Sequence, residues 1–138
     1  MTILDRPEIL AVDDTPDNLF LLEAILGEAE EYRLRCAESG EAAIEMVKAL
    51  PPSLILLDVM MPGMDGYEVT RRIRQNQDLP YIPILLITAH DKASADEGFQ
   101  AGADGFVRKP FDIQDLLDSV ESYCYDRPPY AVGEVAIR

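Results

Sequence analysis

Five short apolar runs recur along the chain, and a segment with helical spacing follows each of them. In these segments apolar residues three or four apart share one face, as Leu19, Leu22 and Leu26 do after the first run. Strands that alternate with helices in this way predict a parallel β-sheet with helices on both faces. The runs are Glu8–Val12, Tyr32–Ala37, Leu54–Leu57, Ile82–Ile87 and Asp104–Val107.

The composition of the runs indicates where each strand lies in the sheet. Ile9–Val12, Leu54–Leu57 and Ile84–Ile87 are continuously apolar, as expected of strands that are buried on both faces. Arg33–Cys36 alternates between polar and apolar residues, which is typical of an edge strand. The strand order 2-1-3-4-5 satisfies both observations and reverses the chain direction between strands 1 and 3. We therefore predict an α/β, flavodoxin-like doubly wound (βα)5 fold with a five-stranded parallel sheet.

Hydrogen-bonding side chains precede three of the helical segments. Ser39 stands before the second helix and Asp112 before the fifth, where each is expected to act as the N-cap. Ser94 and Glu97 have the spacing of a capping box before the fourth helix. These residues set the expected starts of the helices.

The chain is small and acidic. Its 138 residues suit one domain, and 12 Lys and Arg against 26 Asp and Glu give a net charge of −14. Because nucleic-acid binding rests on neutralising phosphates, this charge argues against a nucleic-acid partner, and it equally argues against an anionic membrane surface. No apolar run is long enough to span a membrane, and Met1–Pro7 is too short and polar for a secretory signal. We expect a cytoplasmic protein in which Cys36 and Cys124 are buried free thiols.

Polar residues end four of the five predicted strands. Asp13 and Asp14 follow strand 1, Asp58 ends strand 3, Thr88 ends strand 4, and strand 5 leads to Lys109. Because parallel strands share one carboxyl edge, these side chains are expected to meet where the chain direction reverses. A solvated loop residue or a helix cap explains each of them alone, but not all of them together.

Three carboxylates at one point repel each other, and a hard cation relieves that repulsion. Two unit charges about 4 Å apart cost on the order of 1–4 kcal/mol between bulk water and a protein surface. Mg²⁺, with Mn²⁺ as a substitute, suits carboxylates and a phosphate oxygen. Lys109 adds a positive charge and Thr88 a hydrogen-bond donor, so the set predicts a cradle for a phosphoryl group. An Asp is the expected acceptor, since its carboxylate can form an acyl phosphate.

The chain lacks the motifs of several competing chemistries. It contains no Gly-x-x-x-x-Gly-Lys loop, no Gly-x-Gly-x-x-Gly after strand 1 and no Gly-x-Ser-x-Gly elbow. In a flavodoxin the loop after strand 1 would hold the flavin phosphate. Here two acidic residues begin that loop and would repel the phosphate, so a flavodoxin is disfavoured. A haloacid-type phosphatase needs a second acid two residues after its nucleophile, where Met60 stands here. A Mg²⁺-dependent phosphatase with an Asp nucleophile is therefore the weaker alternative.

Four separated motifs stand out along the chain: Ile9–Asp14, Leu54–Gly66, Ile87–Ala89 and Gly102–Phe111. In this order they resemble the receiver domain of two-component response regulators, a family that includes CheY. The resemblance covers residues 7–125 and implies a receiver domain over residues 1–125, followed by a tail or linker over residues 126–138.

The resemblance assigns roles to the residues of the expected site. It implies that Asp58 is the phosphoacceptor. It also implies that Mg²⁺ is held by Asp13, Asp14, Asp58 and the backbone carbonyl of Met60. A histidine kinase or a phosphotransfer protein would donate the phosphoryl group. These roles describe a switch, with at most slow hydrolysis of the aspartyl phosphate, rather than a turnover enzyme.

The resemblance also implies a contact set for the phosphoryl group and a switch. Thr88, Ala89 and Lys109 would border the phosphoryl oxygens. Thr88 and Phe106 would form the switch, in which the ring turns inward as Thr88 moves toward the phosphate. A Phe replaces the Tyr that is frequent there, so the switch would rest on packing without a hydroxyl hydrogen bond. The Lys109–Pro110 peptide bond is cis in the family.

Several positions near the motifs leave two interpretations open. Met60 and His90 occupy places that tune the lifetime of the acyl phosphate in this family, and His90 is equally explained as an exposed loop residue. Arg71, Arg72 and Arg74 form a small basic cluster that we interpret as a solvated helix face.

The resemblance implies that phosphorylation changes the shape of the helix 4–strand 5–helix 5 face and so signals to a downstream partner or output domain. The sequence gives no basis for or against a homodimer; the face formed by helices 4 and 5 is the place where one would be sought. A receiver-like interaction module that is never phosphorylated remains an alternative, although such modules tend to lose an acidic or lysine position that this chain keeps.

Overall fold

The computed structural model describes residues 6–27, 31–89 and 92–125, with the side chains of residues 92–94 left out. Within these residues five strands alternate with five helices, as the hydrophobic pattern predicts. The elements are β1 (Glu8–Val12), α1 (Pro16–Gly27), β2 (Arg33–Ala37), α2 (Gly40–Ala49), β3 (Leu54–Asp58), α3 (Gly66–Gln75), β4 (Ile84–Thr88), α4 (Lys92–Ala101), β5 (Gly105–Arg108) and α5 (Ile113–Tyr125).

The strands form one parallel sheet in the order β2-β1-β3-β4-β5. This arrangement confirms the flavodoxin-like doubly wound fold. Every residue of the three inner strands is buried, whereas β2 is mostly half-exposed at its edge of the sheet. Leu19 and Leu116 belong to a core on the face covered by α1 and α5. Val47 and Val69 belong to a second core on the face covered by α2, α3 and α4.

Three strands begin later than their apolar runs predict. The second run starts at Tyr32, but β2 starts at Arg33. The fourth run starts at Ile82, but β4 starts at Ile84. Pro83 has no N–H to donate, and only its carbonyl joins the pairing, by accepting from the N–H of Ile55 at 3.0 Å. The fifth run starts at Asp104, but β5 starts at Gly105 and extends to Arg108. Asp104 instead accepts a hydrogen bond from the N–H of Ile84 through its side chain.

The structure confirms two of the predicted N-caps and corrects a third. The Ser39 hydroxyl accepts from the N–H of Ala42, and the Asp112 carboxylate accepts from the N–H groups at the start of α5. The capping box is wrong, since α4 begins at Lys92 and Ser94 therefore lies inside its first turn. Asp65 caps α3 by accepting from the N–H of Glu68, which an acidic pair at this spacing could have revealed.

Cys36 and Cys124 are both thiols, as predicted, but neither is fully buried. Cys36 is exposed because β2 is an edge strand, and Cys124 is half-buried in the last turn of α5. No helix within residues 6–27, 31–89 and 92–125 is long and apolar enough to cross a membrane.

Arg74 does not lie on a solvated helix face. Arg71 and Arg72 pair with Glu68 at the surface, as predicted. Arg74 instead donates to the Gly102 carbonyl at 2.9 Å, the Ile82 carbonyl at 2.7 Å and the Asp104 carboxylate at 2.8 Å. These acceptors precede β4 and β5, so Arg74 joins α3 to the amino ends of two strands.

Further contacts hold the Arg74 guanidinium in place. It lies 4.6 Å from the centre of the Tyr81 ring, and the Tyr81 hydroxyl donates to Asp104. Burial lowers the pKa of Arg74, and the Asp104 carboxylate opposes that shift. We call Arg74, Tyr81 and Asp104 the amino-end cluster.

Candidate functional site

The carboxyl ends of β1 and β3 bring three carboxylates together. These strands are neighbours, with Val12 paired to Leu57, so the residues that follow the pairing lie side by side. Carboxylate oxygens of Asp13, Asp14 and Asp58 lie within 4.8 Å of one another. Asp13 and Asp58 are only 3% and 6% exposed, and Asp14 is more open to solvent.

The crowding of negative charge affects the pKa of Asp58. Burial raises its pKa, and the Asp13 carboxylate raises it further. The Lys109 ammonium lowers the pKa, but it does not cancel the other two effects. The three carboxylates form a donor set that suits a hard divalent cation, which would relieve the repulsion that the single ammonium leaves.

The carboxylate of Asp13 is fixed by two neutral donors. Its Oδ1 accepts from the backbone N–H of Thr15 at 2.9 Å, and its Oδ2 accepts from the side-chain amide of Asn18 at 3.1 Å. Asn18 is a residue of this site that the pattern of strand ends does not indicate. Its position in the first turn of α1, five residues after Asp13, is the signal that could have indicated it.

Lys109 reaches two of the three carboxylates. Its Nζ lies 3.4 Å from Asp58 Oδ1 and 3.9 Å from Asp13 Oδ2. The backbone of Lys109 donates to the carbonyl of Thr88 at 2.8 Å, and the Lys109–Pro110 peptide bond is cis. The two contacts of its Nζ place the ammonium at the carboxyl edge of the sheet, beside Asp13 and Asp58.

The ends of β3 and β4 place the remaining predicted residues around Asp58. Thr88 is 2% exposed at the end of β4, and Ala89 is exposed directly after it. The side chain of Met60 is 59% exposed, two residues after Asp58. The start of α3 also packs closely here, because a Cβ at Gly66 would lie 2.6 Å from the Asp58 carbonyl oxygen. His90, which we expect to tune the acyl phosphate, lies outside the described residues.

Phe106 points toward α4 and rests against its backbone. Its ring meets the Phe99 ring edge to face, with centroids 5.2 Å apart and planes at 77°. A Cβ on Gly98 would lie 2.4 Å from Phe106 Cζ and 2.7 Å from Leu86 Cδ1. The half-buried position of Phe106 therefore requires a glycine, which has no side chain, at position 98.

Replacing Gly98 with Ala is expected to destabilise the domain by about 1–2 kcal/mol, because overpacking outweighs the helix propensity of Ala. In a Phe106→Leu background the same change should be less destabilising by about 1 kcal/mol, since the ring tip is gone. Urea unfolding of the four proteins measures both free energies of unfolding. An equal cost in both backgrounds would show that Gly98 does not serve Phe106.

A cavity of about 360 Å³ opens beside the carboxylates. Its polar lining comes from Asp13, Asn18 and Lys109, and its apolar lining comes from α1, β4, the loop after β5 and the start of α5. The three polar residues thus border one cavity beside the carboxylate cluster.

Comparison with models of known protein families identifies the family of this chain. The model of the response regulator receiver domain matches residues 9–121. The chain belongs to this family. The receiver match begins in β1 and ends within α5, so it spans all five strands and the three carboxylates described above.

Three relatives illustrate the similarity of this receiver domain to known proteins. It is 44% identical over 115 residues to the response regulator PleD of Caulobacter vibrioides, covering 83% of this chain and 25% of PleD. It is 36% identical over 128 residues to a Vibrio cholerae protein named "Probable cyclic di-GMP phosphodiesterase", covering 92% of this chain and 29% of that protein. The solved chemotaxis protein CheY4 of Vibrio cholerae superposes with a TM-score of 0.79 at 28% identity, over 86% of this chain and 98% of CheY4.

The length of this chain corresponds to that of a single receiver domain. It spans less than a third of the two curated relatives, but nearly all of CheY4 is covered. Receiver domains in general act as phosphoacceptor switches, are phosphorylated by histidine kinases and bind Mg²⁺ in an acidic pocket. The residues of this chain that could serve those steps are the ones gathered at the carboxyl edge of its sheet.

Proposed function

We propose that this receiver accepts a phosphoryl group on Asp58 from a histidine kinase or a phosphotransfer protein, in a Mg²⁺-dependent reaction. The observation that carries the proposal is the meeting of three carboxylate oxygens within 4.8 Å, with an ammonium 3.4 Å from Asp58. A cluster of this charge is poorly suited to a purely structural role, because its members repel each other.

Different residues of the site would serve different parts of the reaction. An Asp58 carboxylate oxygen attacks phosphorus, a P–O bond forms, and the P–N bond to the donor histidine breaks as the imidazole leaves. Lys109 and Thr88 would contact the phosphoryl oxygens and stabilise their charge, and the small side chain of Ala89 would leave room for them.

A divalent cation completes the proposed site. Asp13, Asp14, Asp58 and the backbone carbonyl of Met60 would hold Mg²⁺, with Mn²⁺ as a substitute. When bound, the cation neutralises charge that builds up on the phosphoryl group in transfer. The chain itself supplies the nucleophile, the orientation of the carboxylates and the ammonium.

Signalling would follow from the new charge on Asp58. Thr88 is buried at the strand end next to Asp58, and Phe106 lies two residues into β5, against α4. We propose that these two residues carry the change to the α4–β5–α5 face, which then meets a downstream protein, an output domain or a second receiver. A cytoplasmic location, a domain over residues 1–125 with a tail over residues 126–138, and tuning of the acyl phosphate by Met60 and His90 stay predictions.

Incubation with a small acyl-phosphate donor tests the proposal directly. In the presence of Mg²⁺ the intact mass should rise by one phosphoryl group, and a chelating agent should abolish the gain by removing the cation. Re-addition of Mg²⁺ or Mn²⁺ should restore it.

The same incubation distinguishes the alternatives. An interaction module that is never phosphorylated shows no gain in mass under saturating donor. Steady turnover of phosphomonoesters with Mg²⁺ would instead support the phosphatase alternative.

A further inference from the structure

The side chain of Asn18 contacts the deeper of the two carboxylates that follow β1. Its Nδ2 lies 3.1 Å from Asp13 Oδ2, the same oxygen that faces the Lys109 ammonium at 3.9 Å. The other oxygen, Oδ1, is taken by the N–H of Thr15. Both oxygens of Asp13 therefore have a fixed donor, and the carboxylate plane has little freedom to rotate.

The placement of Asn18 makes it a rigid support. It is the third residue of α1, and its backbone N–H donates to the Thr15 carbonyl at 3.0 Å. A short side chain on a helix has few rotamers, so its amide is delivered to Asp13 with little loss of conformational freedom. Asn18 also lines the cavity that opens beside Asp13 and Lys109.

The chemical type of Asn18 matters as much as its position. A Lys or Arg here would neutralise Asp13 and compete with a cation, and a carboxylate would add a fourth negative charge to the cluster. An amide donates a hydrogen bond to the charged carboxylate without bringing any charge of its own. It therefore orients Asp13 while leaving the full negative charge available.

We propose that Asn18 is a positioning residue that holds Asp13 in the orientation needed to bind the divalent cation. This inference rests on the proposed function, since it concerns the same site. Asn18 acts through Asp13 and need not touch the phosphoryl group. Partners of metal ligands commonly change metal affinity about 10–100-fold when they are replaced.

Asn18→Leu tests the proposal because it keeps the size of the side chain and removes the donor. Isothermal titration with MgCl₂ is expected to show a dissociation constant about 10–100-fold higher than in the parent protein. The rate of Asp58 loading should fall at low Mg²⁺ and return to the parent value at saturating Mg²⁺. This separation between affinity and maximal rate is not expected of a residue that only stabilises the fold.

Two further variants make the result decisive. Asn18→Ala removes the donor without adding apolar bulk and should weaken Mg²⁺ binding to a similar degree. Gln75→Leu makes a comparable amide-to-leucine change at an exposed site at the far end of α3, and its dissociation constant should match the parent's. Thermal unfolding of each variant in the absence of Mg²⁺ checks that the fold is kept.

The outcomes separate this inference from the proposed function. If the parent binds Mg²⁺ and is loaded, but Asn18→Leu and Asn18→Ala bind Mg²⁺ equally well, the role of Asn18 is wrong and the proposed function stands. A parent that neither binds Mg²⁺ nor gains mass overturns the proposed function itself. A loading rate that stays low at saturating Mg²⁺ would also contradict the positioning role.

Discussion

Asp58→Asn is expected to abolish the gain of a phosphoryl group completely. The Asn amide offers no carboxylate oxygen as a nucleophile, so the acyl phosphate cannot form. The substitution keeps the shape of the side chain and removes one charge from a crowded cluster in which Asp13 already raises the pKa of Asp58. We therefore expect loss of loading without loss of stability, as measured by intact mass and by urea unfolding.

A matched control shows whether the position, rather than any Asp, is responsible. Asp78 is exposed in the loop between α3 and β4, and Asp78→Asn should gain a full phosphoryl group under the same conditions. The assignment of Asp58 is overturned if Asp58→Asn still gains mass at the parent's rate. Its assignment would also fail if peptide mapping of the parent placed the phosphoryl group on another residue.

Arg74→Met is expected to give the largest loss of stability among the substitutions considered. Its guanidinium donates to two carbonyls and a carboxylate, and both members of the Arg74–Asp104 pair are only about a fifth exposed, at 21% and 22%. Removing one partner of a buried pair costs about 3–5 kcal/mol, because the other charge stays buried and unpaired. Urea unfolding should show that the free energy of unfolding falls by an amount near the lower end of that range.

Arg72→Met is the natural control for Arg74→Met. Arg72 lies two residues earlier on α3, pairs with Glu68 and is 56% exposed, so its loss should cost less than about 1 kcal/mol. At a temperature where both variants are folded, Asp58 should be loaded at the parent rate. Equal costs for the two variants would show that the amino-end cluster contributes no more than a surface ion pair.

The fold could be predicted because its main cause is local along the chain. Continuous apolar runs mark inner strands, and the alternation at Arg33–Cys36 marks an edge strand; the structure confirms both. The candidate site could be predicted for a related reason. Polar residues that end parallel strands meet at one edge, so the positions of Asp13, Asp58 and Thr88 in sequence specify their neighbourhood in space.

Other features could not be read from the sequence because their partners are distant in it. Arg74 meets Asp104 thirty residues later, and nothing in its own helix separates it from Arg71 and Arg72. The packing of Phe106 on Gly98 depends on how β5 lies against α4. Cys36 counts as an apolar residue of its run, which predicts burial. It is exposed because β2 lies at the edge of the sheet.

The amino-end cluster lies at the opposite end of the sheet from the three carboxylates. An inner strand such as β3 has five residues and separates the two ends by roughly 16 Å. Thermal adaptation of such a receiver can therefore proceed at Arg74, Tyr81 and Asp104 while the chemistry at Asp58 is left untouched. The same separation offers protein engineers a way to raise or lower the melting temperature of a signalling switch without retuning its phosphorylation.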